Sequence, residues 1–446
     1  MVGNPWLAPI VAFGLCACSP SDQAGPGPDT PQAPRTDQAG PGPDTPQAPR
    51  TDCLGEVPGA DCFARIRRPY PPDPASDNVA LATEIAKRQM AVHPAAELAW
   101  NWEEAVLMAG LVELYRVTQA PELLAYMKAW MDHHIEAGYT IQSSDTCAPA
   151  AIAAFLWQET QDWKYASVVQ DAIYYLEMVA LRTPEGGISH LGTFAVKTLW
   201  IDSLYMFGNV LIEWASAQKE VAPWRDEGAD AVMPGDVQPA GMLNAAQALD
   251  MFGTQYGIFA AKLQDDSGFF THASDWVVEQ TPGAFWARGN GWVVASGYSY
   301  LLQRIERGED DATVRESLAK LTSAVLSVQD SSSGLWWTML SHPGKYYLET
   351  SASALFAYGI ARAWRYSLVD DAVLPKLSLA LEGIHSRIAK DEEGRPIVTG
   401  ISGPTSADKL EEYGKVPLEE DLPFGVGAVI LALVETSGLP LAGGKP

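Results

Sequence analysis

Residues 349–363, with the sequence ETSASALFAYGIARA, decide the fold class of this chain. Nearly every side chain in this stretch is small or apolar, and a helix of that kind must be buried on all sides. Three more segments share this character: 147–160, 199–217 and 287–303. Three others have helical spacing but keep one charged face: 164–182, 313–330 and 373–390. Buried and half-exposed helices therefore alternate along the chain, which is typical of an inner ring wrapped by an outer ring.

Apolar residues recur at helical spacing on both sides of these segments, from Asn78 to the end of the chain. Breaks at Gly, Pro, Asn and Asp predict twelve helices, at about 78–92, 99–118, 122–137, 147–160, 164–182, 199–217, 242–264, 287–307, 313–330, 349–367, 373–390 and 423–437. Twelve helices in two rings close as an (α/α)6 barrel, an all-α six-hairpin toroid. A superhelical solenoid is the alternative, although these helices show no repeat of fixed period. Strand-like alternation is scarce, and residues 334–339 are its best candidate.

The composition excludes several classes of partner. The 446 residues include 55 acidic and 30 basic side chains, which gives a formal net charge of −25. Nucleic-acid binding needs Lys and Arg to neutralise phosphate, and docking on anionic lipid needs a basic patch. The five cysteines contain no CxxC pair, and the sequence has no HExxH, GxSxG, P-loop or dinucleotide fingerprint. These patterns predict neither a metal nor a nucleotide.

The first eighteen residues are typical of a secretory leader. Residues 6–15 are uncharged and mostly apolar, a length that suits a signal peptide and is too short to span a bilayer. The following Leu15-Cys16-Ala17-Cys18 resembles a bacterial lipobox, which predicts lipidation of Cys18 and export as a lipoprotein to the periplasm or cell surface. Ser19 favours the outer membrane. Plain secretion, or a cytosolic protein with a chance apolar start, are the alternatives, because no Lys or Arg lies near Met1.

A Pro-rich segment follows the leader, and half of the 32 prolines lie before residue 76. Residues 22–36, DQAGPGPDTPQAPRT, recur unchanged at 37–51, and this composition cannot bury enough apolar surface to fold. We therefore expect a signal peptide at 1–18, a disordered tether at 19–75 and one catalytic domain at 76–446. Cys53 and Cys62 are candidates for a small disulfide loop, which would leave Cys147 unpaired.

Packing alone does not explain three groups of polar and aromatic residues. They are WNWEE at 100–104; SSDTCAP at 143–149 with LWIDSLYM at 199–206; and HASDW at 272–276 with FWARGNGW at 285–292. Asp202 lies among apolar residues at a helix start, where burial would raise its pKa and make it a proton donor near neutrality. The simpler interpretation is a carboxylate that stabilises the helix start. Asp145 precedes a Pro-containing helix start, so an N-cap is its structural alternative.

The order of these motifs, with YYLETSASALFAYGIARA and PFGVGAVILA, resembles the unsaturated glucuronyl and rhamnogalacturonyl hydrolases of glycoside hydrolase families 105 and 88. The resemblance extends from about Asn78 to the C-terminus. It implies an (α/α)6 barrel that removes the terminal 4,5-unsaturated uronic acid from polysaccharide-lyase products. It also implies hydration of the C4=C5 vinyl ether rather than displacement at the anomeric carbon, with no metal or organic cofactor.

The resemblance assigns roles to seven residues. Asp202 would protonate C4 and then activate the water that adds to C5, and Asp145 would be the second carboxylate of the site. Substrate binding would fall to the remaining five, with Arg288 as the counter-ion of the uronate: Trp102, His272, Trp286, Arg288 and Trp292. The loops at 183–198, 265–284 and 331–348 would face the next sugar.

Other functions remain open at this point. An (α/α)6 polysaccharide lyase or a sugar epimerase would use the same barrel, and a non-catalytic lipoprotein would capture acidic oligosaccharides through the Trp and Arg residues. The expected partners are an unsaturated uronate-containing oligosaccharide and, through the lipid anchor, a membrane. We expect no nucleic acid and no obligate protein partner.

Overall fold

A computed structural model of the chain describes residues 66–192, 197–218 and 242–441. Fourteen α-helices lie in these ranges: α1 (Asp77–Val92), α2 (Trp102–Thr118), α3 (Pro121–Ala137), α4 (Ser144–Cys147), α5 (Ala150–Thr160), α6 (Trp163–Tyr174), α7 (Ser203–Ala217), α8 (Ala245–Leu263), α9 (Ala287–Glu306), α10 (Ala312–Ser327), α11 (Thr350–Arg365), α12 (Leu374–His385), α13 (Leu410–Tyr413) and α14 (Pro423–Thr436). All twelve predicted helices are present, and α4 and α13 are short additions. None of the described helices is both long and apolar enough to cross a membrane.

The described strands form four two-stranded antiparallel pairs. They are β1 (Leu199–Trp200) with β2 (Ala273–Ser274), β3 (Trp336–Trp337) with β4 (Leu348–Glu349), β5 (Ile388–Lys390) with β6 (Pro396–Val398), and β7 (Ile401–Ser402) with β8 (Leu418–Glu419). These pairs explain two errors in the predicted helix boundaries. The helix predicted at 199–217 starts at Ser203 because β1 pairs with β2, and the helix predicted at 373–390 ends at His385 because β5 pairs with β6.

Six of the long helices form a closed inner ring. In chain order they are α2, α5, α7, α9, α11 and α14; each packs on the next, and α14 packs on α2. The other six cover the ring from outside, α1 on α14, α3 on α2, α6 on α5, α8 on α7, α10 on α9 and α12 on α11. This is the predicted (α/α)6 barrel, and the contact between α14 and α2 excludes the open solenoid.

The ring closes where two glycines let the helices approach. A Cβ atom on Gly427 of α14 would lie 2.2 Å from the carbonyl oxygen of Val106 in α2. A Cβ atom on Gly110 would in turn lie 2.8 Å from the carbonyl oxygen of Gly427. Both distances are shorter than van der Waals contact, so this crossing requires glycine at both positions.

All six inner helices run in the same direction, because each returns through an antiparallel outer helix before the next begins. Their N-termini therefore meet at one mouth of the barrel. Partial positive charge accumulates at helix N-termini, where unpaired backbone N–H groups attract anions. The fold thus brings the N-terminal ends of six helix dipoles to one mouth.

The folded domain begins before residue 76. Ile66 is fully buried against Leu302, Ile305 and Tyr366, and the backbone N–H of Arg68 donates to the carbonyl of Arg365. The expectation that 66–75 belongs to the disordered tether is therefore wrong, because this segment packs on α9 and α11. Cys147 is a free, buried thiol, as expected. The signal peptide, the repeat, Cys18, Cys53 and Cys62 lie outside the described residues.

Candidate active site

The residues singled out from the sequence lie at the starts of the inner helices. Trp102 is the first residue of α2, and Asp145 lies in α4, just before α5. Asp202 immediately precedes α7, and Trp286, Arg288 and Trp292 lie in or beside the first turns of α9. Residues that are 190 positions apart in the sequence are thus brought to the same mouth by the ring.

Strand pairing places Asp202 beside His272. The two residues flank β1 and β2, and the backbone N–H of Ile201 donates to the carbonyl of His272 at 3.0 Å. Oδ2 of Asp202 lies 3.2 Å from Nε2 of His272. His272 is completely buried, and this burial lowers its pKa, although the nearby carboxylate acts in the opposite direction. The ring is therefore neutral, and its Nε2 edge faces the carboxylate.

The contact with His272 reverses the expected pKa shift of Asp202. Burial alone would raise the pKa of this carboxyl, as the sequence suggested. Burial is opposed by the interactions with His272 and, to a smaller extent, His190, and their combined effect places the pKa below its ordinary value. The prediction of a raised pKa for Asp202 is therefore wrong for the protein without substrate, in which this side chain is ionised.

Asp145 carries the raised pKa instead. Burial is the main cause, the charge of Asp202 raises the pKa further, and His190 opposes both. Nε2 of His190 is 3.8 Å from Oδ2 of Asp145. The helix cap is supplied by Ser143, which forms a capping box with Thr146, so Asp145 is not the N-cap. The two carboxyls are electrostatically coupled, and their pKa values are shifted in opposite directions.

Sequence reasoning did not single out His190 or the role of Trp200. The His190 ring stacks on Trp200 with 4.9 Å between centroids, and its Nδ1 lies 3.0 Å from Oγ of Ser203. Trp200 also contacts His272 edge to face at 5.0 Å. The sequence around His190 has no pattern that distinguishes it from any loop histidine, and only the fold reveals its position.

Arg288 is engaged with the backbone of residues 402–403. Its Nη1 donates to the carbonyl of Ser402 and its Nη2 to the carbonyl of Gly403, both at 2.7 Å, and Nη2 also contacts Thr405. The side chain is 1% exposed, between the rings of Trp286 and Phe424. Both terminal nitrogens hold backbone carbonyls, whereas Nε has no partner within the described chain, and direct contact of Arg288 with the uronate stays a prediction.

The three predicted tryptophans lie at different depths. Trp102 is half-buried and packs on Phe424 at 4.8 Å, with Trp292 edge-on at 6.4 Å. Trp292 is fully buried against Tyr205 at 4.6 Å. Trp286 is also buried, and its ring stacks on His272 at 4.3 Å. Trp102 is therefore the most accessible of the three, whereas Trp286 fixes the plane of His272.

Two further carboxylates come from the WNWEE motif. Burial raises the pKa of Glu103, with Arg288 opposing and Asp145 and Glu419 adding to the shift. Burial raises the pKa of Glu104 to about 7. Within the described ranges, no group of three or more His, Cys, Asp or Glu residues is arranged to hold a metal ion.

The comparisons with known proteins agree with this geometry. The family model described as Glycosyl Hydrolase Family 88 matches residues 80–439. The chain belongs to glycosyl hydrolase family 88. The Bacillus subtilis protein named unsaturated rhamnogalacturonyl hydrolase YesR is 27% identical over 349 residues, which cover 76% of this chain and 90% of the relative.

Solved structures of this enzyme group share the fold. A protein from Klebsiella pneumoniae, described as a possible member of family 105, superposes with a TM-score of 0.67 at 24% identity. The match covers 83% of this family 88 chain and 95% of the other. A family 105 glycoside hydrolase from C. acetobutylicum superposes with a TM-score of 0.66 at 21% identity, and the match covers 79% of this chain and 98% of the other.

Proposed function

We propose that this family 88 glycoside hydrolase is exo-acting and removes the 4,5-unsaturated uronic acid from the non-reducing end of polysaccharide-lyase products. The observation that carries the proposal is the coupled carboxyl pair at the barrel mouth, with a raised pKa at Asp145 and a lowered pKa at Asp202. Two titratable groups with opposite shifts in one site are typical of acid and base roles. The name of the relative YesR supports rhamnose as the sugar next to the uronate.

The proposed reaction is hydration of a vinyl ether. A proton from the carboxyl pair adds to C4 of the ring, and the positive charge that develops at C5 is shared with the ring oxygen. Water adds to C5 while a carboxylate takes its proton. The resulting hemiketal opens by breaking the bond between C5 and the ring oxygen, which leaves a ketone at C5 and a hemiacetal at C1. The hemiacetal then collapses to an aldehyde, its bond to the leaving oxygen breaks, and that oxygen takes the proton of the C1 hydroxyl as the remaining chain is released.

Asp202 is the proposed acid and then base, and substrate binding adjusts its protonation. In the free protein, burial and the Asp202 charge raise the pKa of Asp145, which favours a proton on Asp145 over one on Asp202. A bound uronate brings a further negative charge to the mouth and excludes water, and both effects raise the pKa of Asp202. The proton shared by the pair then moves to Asp202, which is in position to deliver it.

Unpaired donors support an oxygen-rich ligand. The indole N–H groups of Trp200, Trp276, Trp286 and Trp292, and Nε of Arg288, are buried without an acceptor within the described chain. An unsatisfied buried donor costs about 1–3 kcal/mol, which a ligand oxygen would recover. These N–H groups and the N-termini of the inner helices are potential contacts for an anion. They do not require the Nη atoms of Arg288, which already bind backbone carbonyls.

The segment 402–419 supports an exo mode of action. Ala407 packs with Trp200 and Trp276. Leu410 and Tyr413 pack with Trp286. A segment that packs on several aromatic residues of the proposed site favours a chain end over an internal sugar as the bound group.

The test follows the ultraviolet absorbance of unsaturated oligosaccharides from lyase-digested pectin, ulvan, gellan and glycosaminoglycans. We expect absorbance to fall with at least the rhamnose-containing products. Asp202→Asn should lower kcat by at least about 1000-fold with an unchanged circular dichroism spectrum. Asp77→Asn, an exposed site at the start of outer helix α1, is the matched control and should keep full activity. A rise in absorbance on intact polymer would indicate a lyase instead.

We also propose that the protein is an exported lipoprotein anchored through Cys18. This rests on the apolar stretch 6–15 and the lipobox-like residues Leu15 to Cys18. The full-length protein should incorporate labelled palmitate and fractionate with membranes, and Cys18→Ala should abolish both. Labelling that persists in Cys18→Ala would remove Cys18 from this role.

A further inference from the structure

A chain of three polar side chains runs along the buried wall of the site. The phenol oxygen of Tyr413 is 2.9 Å from Nδ1 of His272, and Nε2 of His272 is 3.2 Å from Oδ2 of Asp202. Tyr413 is only 2% exposed and His272 is completely buried. Nothing in the sequence around Tyr413 indicates this contact, because 141 residues separate it from His272.

The donors and acceptors around Tyr413 and His272 determine which atom carries the proton in each contact. The backbone N–H of Asp408 donates to the phenol oxygen of Tyr413 at 3.3 Å. Burial raises the pKa of Tyr413, so the phenol keeps its single proton. Among the described residues, Nδ1 of His272 is the acceptor that this proton reaches. A neutral imidazole that accepts at Nδ1 carries its own proton at Nε2.

We infer that Tyr413 is a positioning residue, which fixes the His272 tautomer so that Nε2–H donates to the Asp202 carboxylate. The inference rests on the function proposed above, in which Asp202 transfers the proton. With the proton on Nδ1 instead, the lone pair of Nε2 would face Oδ2 of Asp202 and repel it. The Asp202 carboxylate would then become protonated, or its side chain would move away from His272.

The other neighbours of His272 do not determine which of its ring nitrogens carries the proton. The charged and titratable groups that face the ring are Asp202, His190 and Arg288, with Asp408 beyond the phenol. Asp202 in turn faces Asp145. Of these groups, Asp202 is the one whose carboxylate contacts a ring nitrogen of His272 among the described residues. The stacked Trp286 holds the plane of the ring without contacting its nitrogens as a donor.

The Tyr413 ring is held independently of its hydroxyl. Its backbone carbonyl accepts a hydrogen bond from the hydroxyl of Tyr347 at 3.0 Å. Thr281 Oγ1 accepts from the N–H of Leu410 in the same turn at 3.0 Å. The ring also packs with Leu410 and Trp286 in one apolar cluster. Tyr413→Phe therefore removes the proton donor while the ring stays in place.

The first test is Tyr413→Phe on an unsaturated disaccharide. We expect kcat to fall about tenfold, the loss of one hydrogen bond to a site that holds a charge, with KM changed by less than about twofold. The low-pH limb of the kcat/KM profile, which reports the free protein, should move up by about one pH unit, because Asp202 loses a donor that favours its ionised form. Tyr126→Phe removes a hydroxyl that donates to the carbonyl of His93 in the outer ring and is the control; it should leave this limb unchanged.

A double-mutant cycle distinguishes control of the His272 tautomer by Tyr413 from a purely structural role of Tyr413. His272→Gln places an amide N–H near the position of Nε2–H, and an amide has no tautomer to be selected. In that background we expect Tyr413→Phe to change kcat by less than about twofold. An equal tenfold loss in both backgrounds would mean that Tyr413 only supports the fold, and the inference would be overturned.

Nitrogen-15 spectra of histidine-labelled protein read the tautomer without any substrate. The seven histidines are few enough to assign His272 by its absence in His272→Gln. We expect the proton on Nε2 in the unsubstituted protein and a mixture in Tyr413→Phe. A proton on Nδ1 in the unsubstituted protein overturns the inference. If the tautomer is as stated but no lyase product is consumed, the proposed function fails and the tautomer assignment stands.

Discussion

Nη1 of Arg288 lies 3.9 Å from Oε1 of Glu349, and both side chains are almost completely buried. Glu349 caps α11 by accepting from the N–H groups of Ser351 and Ala352, and it also accepts from the N–H of Ser402. Arg288 donates to the carbonyl of the same Ser402. The two sequence motifs WARGNGW and YLETS thus form one buried unit that anchors the segment crossing the mouth.

Arg288→Lys should release that segment. An ammonium group cannot span two carbonyls as the guanidinium does, and Glu349 would lose a buried cationic neighbour. We expect a loss of about 3 kcal/mol in unfolding free energy and new proteolytic cleavage within 402–419, detected by mass spectrometry. Arg315→Lys, at a two-pronged contact with Asp310 on the surface of α10, is the control and should be near neutral.

The opposite result for Arg288 is also informative. Unchanged protease resistance with a KM raised at least about tenfold would show that the guanidinium contacts the substrate directly. The role expected from the sequence would then replace the anchoring role.

The acid and base assignments predict a pH profile. Asp145 must keep its proton and its pKa is raised, so kcat/KM should fall as pH rises through that pKa. The low-pH limb should lie below the ordinary range of an aspartate, because His272 lowers the pKa of Asp202. Asp145→Asn should lower kcat about 100-fold and remove the high-pH limb. A limb that survives in this variant would belong to another group.

Much of this architecture could be predicted from the sequence, for a physical reason. The spacing of apolar residues along the sequence indicates which helix faces are buried, so the twelve helices and their arrangement in two rings could be predicted. The pKa of Asp202 does not, because it depends on a histidine 70 positions away that a two-residue strand pair brings into contact. The engagement of Arg288 likewise depends on carbonyls of 402–403, which carry no side-chain signal in the sequence.

Glu104 predicts a second pH effect, on stability rather than activity. Its pKa is raised from 4.5 to about 7 by burial, and its Oε2 has no partner within the described chain. The folded state therefore holds a proton that the unfolded state releases near pH 4.5. Stability is fully present below that pH and is lost as pH rises through about 7.

Glu104→Gln should remove this loss. We expect the Tm at pH 8 to rise by about 2–4 °C, with little change at pH 4, so that the difference between the two conditions shrinks. Glu122→Gln, an exposed glutamate in the first turn of α3, is the matched control. If both variants keep the original pH dependence, Glu104 is not its source.

The closure of the ring at Gly427 predicts a large steric effect from a single methyl group. In Gly427→Ala the new Cβ would lie 2.2 Å from the Val106 carbonyl oxygen, a backbone atom that cannot rotate away. We expect a loss of about 3 kcal/mol or more and a Tm lower by at least about 5 °C. Gly257→Ala is the control, because its Cβ would meet no atom within 4 Å and alanine favours a helix interior. That variant should keep or slightly raise the Tm, whereas equal effects at both glycines would mean that α14 and α2 do not close the barrel through this contact.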